Sequence, residues 1–553
     1  MRIVDSSFLT PATMPSGETE KLHIYNGLDC CVTLEVLETI LPQLDNITGA
    51  TYNFSMSLMA PIMQMNMRGV RVDLEARDKF ISEAEATLER IDANLHRILR
   101  EGLDFDINWR SPKQMNQLFY EVLQLPVIRK RNAQGGFSPT TNRDALEKLS
   151  AHFIATPIIN HILALRDLGK TIGVLRTEID DDARLRTSYN IGGTDTGRLS
   201  SSRSDFGSGT NLQNITQRLR RIFVADPGYK FANIDLSQAD ARGVGAITWN
   251  LFGDDSYLRA CESGDLHTTV TRMSQPSLAW PGTPDGDRAL ADEAAYRHLS
   301  RRDLSKKLGH GTNFYGQPPT MAKHAQLPVE MIVAFQQNYF KAFPGIRKWH
   351  THVAQTLIRE GCITTLLGRK RYFLDRLTED STLRKAIAYE PQSITADTID
   401  EGLLNIWRKY PQVQLLLQVH DSILLQYPEH LEDELLPLLL KEIEIERTLN
   451  GGRKFTIPAE AMVGWNWSYV AFWSKEDFAK GLCSISDVGK IKDNADGLLK
   501  WKGKTDGRRR QKEIPVVHSG IRGRFGTISE PGDLSEMGGD CGDSGGTGEE
   551  GLV

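Results

Sequence analysis

The stretch Leu415–Pro428, LLLQVHDSILLQYP, contains two strongly apolar runs separated by the polar pair His420 and Asp421. Short apolar runs that flank a tight polar turn predict a β-hairpin. Because both runs are apolar throughout, we expect buried strands with His420 and Asp421 at the exposed tip. A carboxylate held by rigid strands is a good ligand for a hard cation. Aspartate is equally an ordinary turn residue, so this stretch alone leaves both readings open.

A second aspartate follows an apolar run in the segment 230–248, KFANIDLSQADARGVGAIT. The first part predicts a short buried strand that ends near Asp235, and the rest predicts a helix with Ser237 as its N-cap. Asp235 is then either a metal-binding carboxylate at the edge of a sheet or a capping residue. If both aspartates lie on neighbouring strands, they form a two-metal site. One ion would activate an attacking hydroxyl, and the other would stabilise the leaving oxygen.

A cationic helix is predicted at 301–316, RRDLSKKLGHGTNFYG. Arg302, Lys306 and His310 follow one another at intervals of four residues, which places them on one helix face. A row of donors facing a cleft would bind a triphosphate. A solvated basic face is the alternative.

The bulk composition excludes several classes of protein. The chain has 553 residues, which indicates three or four domains, and its net charge is −5, from 66 basic and 71 acidic residues. A local basic groove can exist despite an acidic total. None of the six cysteines forms a CxxC pair, so no zinc ribbon or thioredoxin-type site is indicated. We find no membrane-spanning apolar run and no signal peptide, and we therefore expect a cytoplasmic location, that of the host cell if the protein is viral.

Several segments, in this order, resemble the motifs of the family A DNA polymerases, the group of bacterial polymerase I and the T-odd bacteriophages, and we expect a bacteriophage-type member. The resemblance covers about residues 20–480. The segments that carry it are PIMQMNMRGVRVD (61–73), TGRLSSSRSDFGSGTNLQNI (196–215), IDLSQADAR (234–242, motif A), GDLHT (264–268), RRDLSKKLGHGTNFYG (301–316, motif B), TTLLGRKRYFLDR (364–376), EPQSITADTID (390–400), LLLQVHDSILL (415–425, motif C) and IPAEAMVGWNW (457–467).

This resemblance implies an α+β, right-hand polymerase fold with an antiparallel palm sheet and a mostly helical thumb and fingers. It implies DNA-templated addition of dNTPs to a primer 3′ end, with release of pyrophosphate. The domains that we expect are a remnant of a 3′–5′ exonuclease domain (1–48), a thumb and primer–template region (49–222), a palm with motif A (223–260), fingers with motif B (261–365), a palm with motif C (366–482) and a disordered tail (483–553).

The family's functional residues map onto this sequence motif by motif. Two Mg²⁺ ions, for which Mn²⁺ could substitute, would be held by Asp235, Asp421 and the carbonyl of Leu236. Lys306 would act as general acid toward pyrophosphate. The remaining assignments are nucleotide contacts at Leu236, Gln238, Asp240, His267, Arg302, His310, Phe314 and Tyr315, and primer–template DNA contacts at Arg198, Asn211, Gln213, Gln392 and His420.

Two departures from the family pattern concern the nucleotide and metal sites. Asp240 stands where motif A usually has a Glu that fills the space of a ribose 2′-hydroxyl, so we expect altered sugar discrimination. Ser422 stands where motif C usually has a second acidic residue, so we expect weaker metal binding.

A third departure concerns the register of motif B. One register keeps Arg302 and Lys306 and places His310 at an aromatic position and Phe314 at a tyrosine position. The other keeps Tyr315 followed by glycine and places Asp303 at the arginine position. We prefer the first because it retains both cationic ligands, and we expect His310 to stack on the incoming nucleotide.

The N-terminal segment YNGLD, with Tyr25 and Asp29, resembles the last motif of a 3′–5′ exonuclease. The metal-binding motif that should precede it has no counterpart in the sequence. We therefore expect no proofreading by this chain alone, with the rest of the exonuclease on a separate subunit or the chain being a fragment.

Two rival hypotheses remain from the sequence. One is a catalytically silent, polymerase-like DNA-binding protein, against which the retention of Asp235, Asp421, Arg302 and Lys306 argues. The other is a polymerase that tolerates ribonucleotides, which the altered sugar-side residues keep open.

Overall fold

The central element of the fold is a five-stranded antiparallel sheet. The computed structural model describes residues 17–132, 135–296, 299–472, 482 and 490–503. In chain order the strands of the sheet are β1 (Tyr229–Leu236), β2 (Gln414–Val419), β3 (Ser422–Pro428), β4 (Ala459–Gly464) and β5 (Leu499–Lys500). Their spatial order is β2-β3-β1-β4-β5.

The strands β2 and β3 form the predicted hairpin. Val419 pairs with Ser422, which leaves His420 and Asp421 as a two-residue turn. His420 has φ 59°, a left-handed conformation that a non-glycine residue adopts only where the surrounding structure enforces it. The flanking strands provide that enforcement, because almost all of their residues are buried. His420 is exposed, as the sequence predicts, whereas Asp421 is partly buried.

Helices surround this sheet and make up most of the rest of the described chain. They are α1 (Glu18–Ile40), α2 (Asn46–Ser57), α3 (Met59–Arg68), α4 (Leu74–Leu103), α5 (Pro112–Asn116), α6 (Arg143–Leu149), α7 (Thr156–Leu175), α8 (Ala239–Phe252), α9 (Ser256–Glu262), α10 (Leu266–Ser274), α11 (Pro284–Ala291), α12 (Arg301–Asn313), α13 (Pro318–Ala325), α14 (Val329–Ala342), α15 (Pro344–Glu360), α16 (Asp380–Lys409) and α17 (Glu432–Ile443).

Short two-stranded antiparallel sheets lie outside the central sheet. The paired strands are Val70–Arg71 with Arg184–Leu185, Arg129–Arg131 with Phe137–Pro139, Ser188–Asn190 with Ser200–Ser202, Ala294–Tyr296 with Leu299–Ser300, Cys362–Thr364 with Lys370–Tyr372, Arg447–Thr448 with Lys454–Phe455, and Ala471–Phe472 with Ile491–Asp493.

The buried apolar side chains of the described residues form two separate hydrophobic cores. The larger core joins the sheet to α8, α16 and the helices between α9 and α15, and its largest fully buried side chains include Trp349 and Trp467. The smaller core lies among α4, α5, α6 and α7 and includes Leu99 and Phe119. Each fully buried leucine or phenylalanine stabilises its core by roughly 1.5–3 kcal/mol. The smaller core lies within residues 49–222, for which the thumb assignment stays a prediction.

Two expectations from the sequence are wrong. Ser237 is not the N-cap of α8, because Gln238 occupies that position with φ 57° and the helix begins one residue later, at Ala239. The sequence predicts a disordered tail from residue 483 onward. The segment 490–503 instead contains two strands, Ile491–Asp493 and β5. That segment was missed because its apolar residues are too few to show a period. Residues 504–553 lie outside the described part, and the other predicted domain boundaries stay predictions.

The N-terminal helix α1 has no buried residue. Tyr25, which carries the resemblance to an exonuclease motif, is 61% exposed. Among the described helices, none is long and apolar enough to cross a membrane.

Candidate active site

The two predicted metal-binding aspartates lie on adjacent strands of the sheet. Asp235 in β1 pairs with Ser422, the first residue of β3. The backbone N–H of Leu236 donates a hydrogen bond of 3.1 Å to the carbonyl oxygen of Asp421. This bond fixes the tip of the β2–β3 hairpin against the end of β1. The sheet therefore brings together two carboxylates that are far apart in the sequence.

The electrostatics of this pair are unfavourable without a cation. Burial, together with the charges of Asp421 and Glu460, raises the pKa of Asp235 to about 7. Burial also raises the pKa of Asp421, and the nearby Asp240 adds to that shift. A positive charge beside such carboxyl groups would stabilise their ionised forms.

Both aspartates face a cavity of about 380 Å³ between the sheet and the helices α8, α10 and α12. Many of the predicted nucleotide contacts line it. The lining residues are Asp235, Leu236, Gln238, Ala239, Asp240, Ala241, Tyr257, Leu266, His267, Val270, Ser305, Lys306, Gly309, His310, Asn313, Phe314, Tyr339 and Asp421.

The cationic side of the cavity comes from α10 and α12. The exposed ammonium group of Lys306 faces the cavity. Arg302, one helical turn earlier, is bound by Asp265 with an Nη2–Oδ1 distance of 3.1 Å. This ion pair fixes the guanidinium at the entrance of α10, where Asp265 also caps the helix by accepting from the N–H of Thr268. The sequence pattern missed this role of Asp265, although the residue stands in the GDLHT segment.

His267 lines the same wall, and its protonation differs from that of an exposed histidine. Burial lowers its pKa to about 4, and the neighbouring charges of Arg302 and Lys306 act in the same direction. In the free protein at neutral pH, the imidazole is therefore uncharged. It can offer one N–H to a ligand oxygen, while Lys306 and Arg302 supply the positive charge.

Asp240 occupies the opposite wall and is held by its neighbours. Its Oδ1 accepts a hydrogen bond of 2.7 Å from the hydroxyl of Thr395 on α16, and Arg198 Nη2 lies 3.4 Å from the same oxygen. Gln238 also lines the cavity, and its buried Oε1 has no hydrogen-bond partner among the described residues. Thr395 was not among the predicted site residues, although it stands in the quoted segment 390–400.

The two registers of motif B differ in which aromatic residue reaches the cavity. Phe314 lines the cavity of the aspartates, and its ring centroid lies 4.7 Å from that of His310. Tyr315, with φ 60°, instead lines a second cavity and packs edge-on against His350. The geometry thus favours the register that retains Arg302 and Lys306. Tyr315, which the sequence predicts as a nucleotide contact, does not line the cavity of the aspartates.

The predicted DNA contacts differ in their burial and in their hydrogen-bond partners. Asn211 accepts a hydrogen bond from the Ser201 hydroxyl, and Gln213 Nε2 donates to the carbonyl oxygens of Leu199 and Gln418. These two side chains therefore brace the strand-rich loop beside the hairpin. Among the other predicted contacts, Arg198 reaches Asp240 as described, Gln392 is half-buried on α16 and His420 is exposed at the hairpin tip.

One carboxylate beside the pair was not predicted. Glu460 in β4 pairs in register with Asp235 from the side opposite to Ser422. Side chains of a strand alternate between its two faces, so the segment AEAMVG predicts that Glu460 lies on the face opposite to the buried Ala461. That alternation could have indicated Glu460 as a carboxylate outside the core.

The donor set fits divalent metal ions, although no three acidic, histidine or cysteine side chains of the described residues form a ready metal cluster. Asp235 and Asp421 supply carboxylate oxygens, the ligand type that Mg²⁺ prefers. The raised pKa of both groups shows that a compensating cation would stabilise their ionised forms.

Paired acidic side chains on a sheet, facing a cavity with a cationic helix, are typical of a metal-dependent phosphoryl-transfer site. The family model of DNA polymerase family A matches residues 75–469. The chain belongs to DNA polymerase family A.

The chain is similar to bacterial DNA polymerase I proteins. The chain is 29% identical to the thermostable DNA polymerase I of Thermus thermophilus over 425 residues, which is 73% of this chain and 46% of that protein. It is 28% identical to DNA polymerase I of Geobacillus stearothermophilus over 412 residues, which is 70% of this chain and 43% of that protein. The chain thus spans about half the length of the curated relatives that it matches.

A solved structure shares the fold. It is the POL domain of Pol1 from M. smegmatis, in complex with a DNA primer-template and a dNTP. The TM-score is 0.61 at 24% sequence identity, with 74% of this chain and 69% of that chain covered. The right-hand α+β fold expected from the sequence is confirmed.

Proposed function

We propose that this chain is a DNA-templated DNA polymerase that adds dNTPs to a primer 3′ end and releases pyrophosphate. The strongest support for this proposal is the position of the two aspartates. The backbone bond between Leu236 and Asp421 brings the carboxylates of Asp235 and Asp421 to one end of a rigid sheet, facing a cavity whose other wall carries Lys306. A catalytically silent DNA-binding protein has no need for two partly buried carboxylates there.

The chemistry follows from the charges of the two walls. Asp235 and Asp421, with the carbonyl of Leu236, would hold two Mg²⁺ ions, for which Mn²⁺ could substitute. Bound there, the ions would supply the charge that lowers the pKa of the primer hydroxyl and stabilises the leaving oxygen. The residues of the chain orient the reactants so that attack and departure are in line.

The opposite wall would bind the triphosphate. Lys306 would neutralise the charge on its oxygens and would give a proton to the departing pyrophosphate. Asp265 fixes the position of the Arg302 guanidinium, and the guanidinium N–H groups that do not face Asp265 can bind phosphate oxygens. The uncharged His267 donates a hydrogen bond without adding to the positive charge.

The sugar and base would lie between Asp240 and the aromatic pair. Asp240 is held back by Thr395 and lies near Arg198, so that its carboxylate fills less of the sugar side than a glutamate would. We propose weakened exclusion of ribonucleotides on this basis. His310 and Phe314 form the surface on which the incoming nucleotide would stack.

Primer–template DNA would cross the sheet near the hairpin tip, contacted by Arg198, Asn211, Gln213, Gln392 and His420. Such contacts would mostly reach the backbone and minor groove, and therefore would not depend on sequence. A separate exonuclease subunit is a further partner that we propose. The bacteriophage type and the cytoplasmic location, which the sequence predicts, stay part of the proposal, and the bacterial relatives give the bacteriophage type no support.

A primer-extension assay with Mg²⁺ tests the proposal. The purified chain should extend a labelled primer with dNTPs, and Asp421→Ala should abolish extension. Efficient use of rNTPs by the wild type would identify a polymerase of relaxed sugar choice. Absence of extension with either nucleotide, from a folded chain, would overturn the proposal in favour of a silent DNA-binding protein.

A further inference from the structure

Three residues form a row across the strands that carry the active site. Ser422 in β3 and Glu460 in β4 are both direct partners of Asp235 in β1, one on each side. Directly opposed residues of antiparallel strands share one face of the sheet, with Cβ atoms about 5 Å apart. The two neighbours of Asp235 therefore flank it on the same face of the sheet and differ in chemistry.

Ser422 offers no strong metal ligand to this row. Its side chain is buried, and its hydroxyl donates a hydrogen bond of 3.0 Å to the carbonyl oxygen of Val419 within the hairpin. Glu460, on the other side of Asp235, has a flexible side chain that is 51% exposed. It can change rotamer without disturbing the core.

The current partner of Glu460 is a cation from the C-terminal strand. Lys500 Nζ lies 2.7 Å from Glu460 Oε1, and both side chains are about half exposed. Lys500 is placed by β5, whose residues pair with Met462 and Val463 of β4. An exposed ion pair of this kind contributes about 0–1 kcal/mol. A divalent cation beside Asp235 can therefore compete with Lys500 for this carboxylate.

We propose that Glu460 is a third carboxylate of the metal site, beside Asp235 and Asp421, and takes the part that Ser422 cannot take, while Lys500 neutralises it when no metal is bound. The inference rests on the proposed function, since it concerns the same metal site. It assigns a role to β5, which lies beyond the stretch matched by the family model.

Mn²⁺ titration of the DNA-free chain, followed by electron paramagnetic resonance, tests the role of Glu460. Glu460→Gln should weaken Mn²⁺ binding by about 10-fold or more, the range found when groups that support a metal site are removed. The matched control is Glu446→Gln. Glu446 also pairs with an exposed lysine, Lys454, at 2.9 Å, and its loss should leave Mn²⁺ affinity unchanged.

The role of Lys500 requires a separate variant. Lys500→Met should tighten Mn²⁺ binding by up to about fivefold, the value of a released surface ion pair. In a Glu460→Gln background the same change should have no effect, because the two residues act through one contact. Thermal unfolding of each variant checks that β5 and the sheet remain intact.

The outcomes separate this inference from the proposed function. If the wild type binds Mn²⁺ and Glu460→Gln binds it equally well, the role of Glu460 is overturned and the role of the aspartates stands. If the wild type binds no Mn²⁺, or if Asp235→Asn binds it as the wild type does, the metal site itself is overturned.

Discussion

Leu236 donates its backbone N–H to the carbonyl oxygen of Asp421 at 3.1 Å, and this bond joins the two segments that carry Asp235 and Asp421, the proposed metal-binding carboxylates. The bond belongs to the backbone, so the spacing of the two aspartates does not depend on their own side chains. Isosteric changes at these aspartates should therefore alter the charge of the site and leave the sheet in place.

Asp235→Asn should stabilise the metal-free protein while abolishing catalysis. At pH 8 the ionised Asp235 lies beside Asp421 at a cost to folding, because its pKa in the folded state is about 7. Removing that charge should raise the free energy of unfolding by roughly 1–3 kcal/mol. Thermal denaturation in EDTA measures the gain.

The same variant should respond less than the wild type to metal. Adding Mg²⁺ should raise the Tm of the wild type, since a ligand that binds only the folded state stabilises it. Equal Mg²⁺ responses of the two proteins would count against Asp235 as a metal ligand.

His310→Ala should weaken binding of the incoming nucleotide. The ring of His310 lies against Phe314 at the cavity wall, and stacking of a base on an aromatic ring contributes about 1–3 kcal/mol. We expect the KM for dNTPs to rise about 10-fold with a smaller change in kcat. His310→Phe, which keeps a planar ring, is the control and should retain most of the affinity. Unchanged nucleotide affinity in the alanine variant would contradict the stacking role.

Asp240→Glu should increase discrimination against ribonucleotides. One added methylene moves the carboxylate beyond the position where Thr395 holds it, and one methylene in a fitted site changes selectivity by about 10-fold or more. The ratio of kcat/KM for dCTP and CTP measures the change. Asp240→Asn, which keeps the length of the side chain, should not produce this gain. A glutamate variant with the ratio of the wild type would show that Asp240 does not set sugar choice.

Glu390→Gln should reduce the pH dependence of stability. Glu390 is buried in α16 and accepts a hydrogen bond from the Trp349 indole, and burial raises its pKa from 4.5 to about 7. A raised carboxyl pKa stabilises the folded state below pH 4.5, and this contribution is lost as the pH rises to about 7. The loss amounts to roughly 3 kcal/mol.

The glutamine variant cannot ionise and should escape that loss. Urea unfolding of both proteins at pH 5 and pH 8 provides the measurement, and the difference between them isolates Glu390 from other titrating groups. A difference that does not grow with pH would show that Glu390 is not held protonated.

The sequence was sufficient to predict the hairpin and both aspartates, because the apolar runs beside Asp421 and Asp235 have the length and composition of buried strands. It also placed Lys306 and His310 on one helix face. It could not place Glu460 beside Asp235, since strand register depends on contacts between distant segments. It missed β5 for a related reason. Two exposed residues show no period, and they form a strand only because the edge of β4 offers unpaired backbone groups.

The most direct test of the central claim is single-nucleotide addition on four primer–templates that differ only in the templating base. The wild type with Mg²⁺ should add only the complementary dNTP in each case, and Asp421→Asn should add none at a detectable rate. Addition that ignores the templating base, or equal addition by the Asp421→Asn variant, would contradict template-directed synthesis at the Asp235–Asp421 pair.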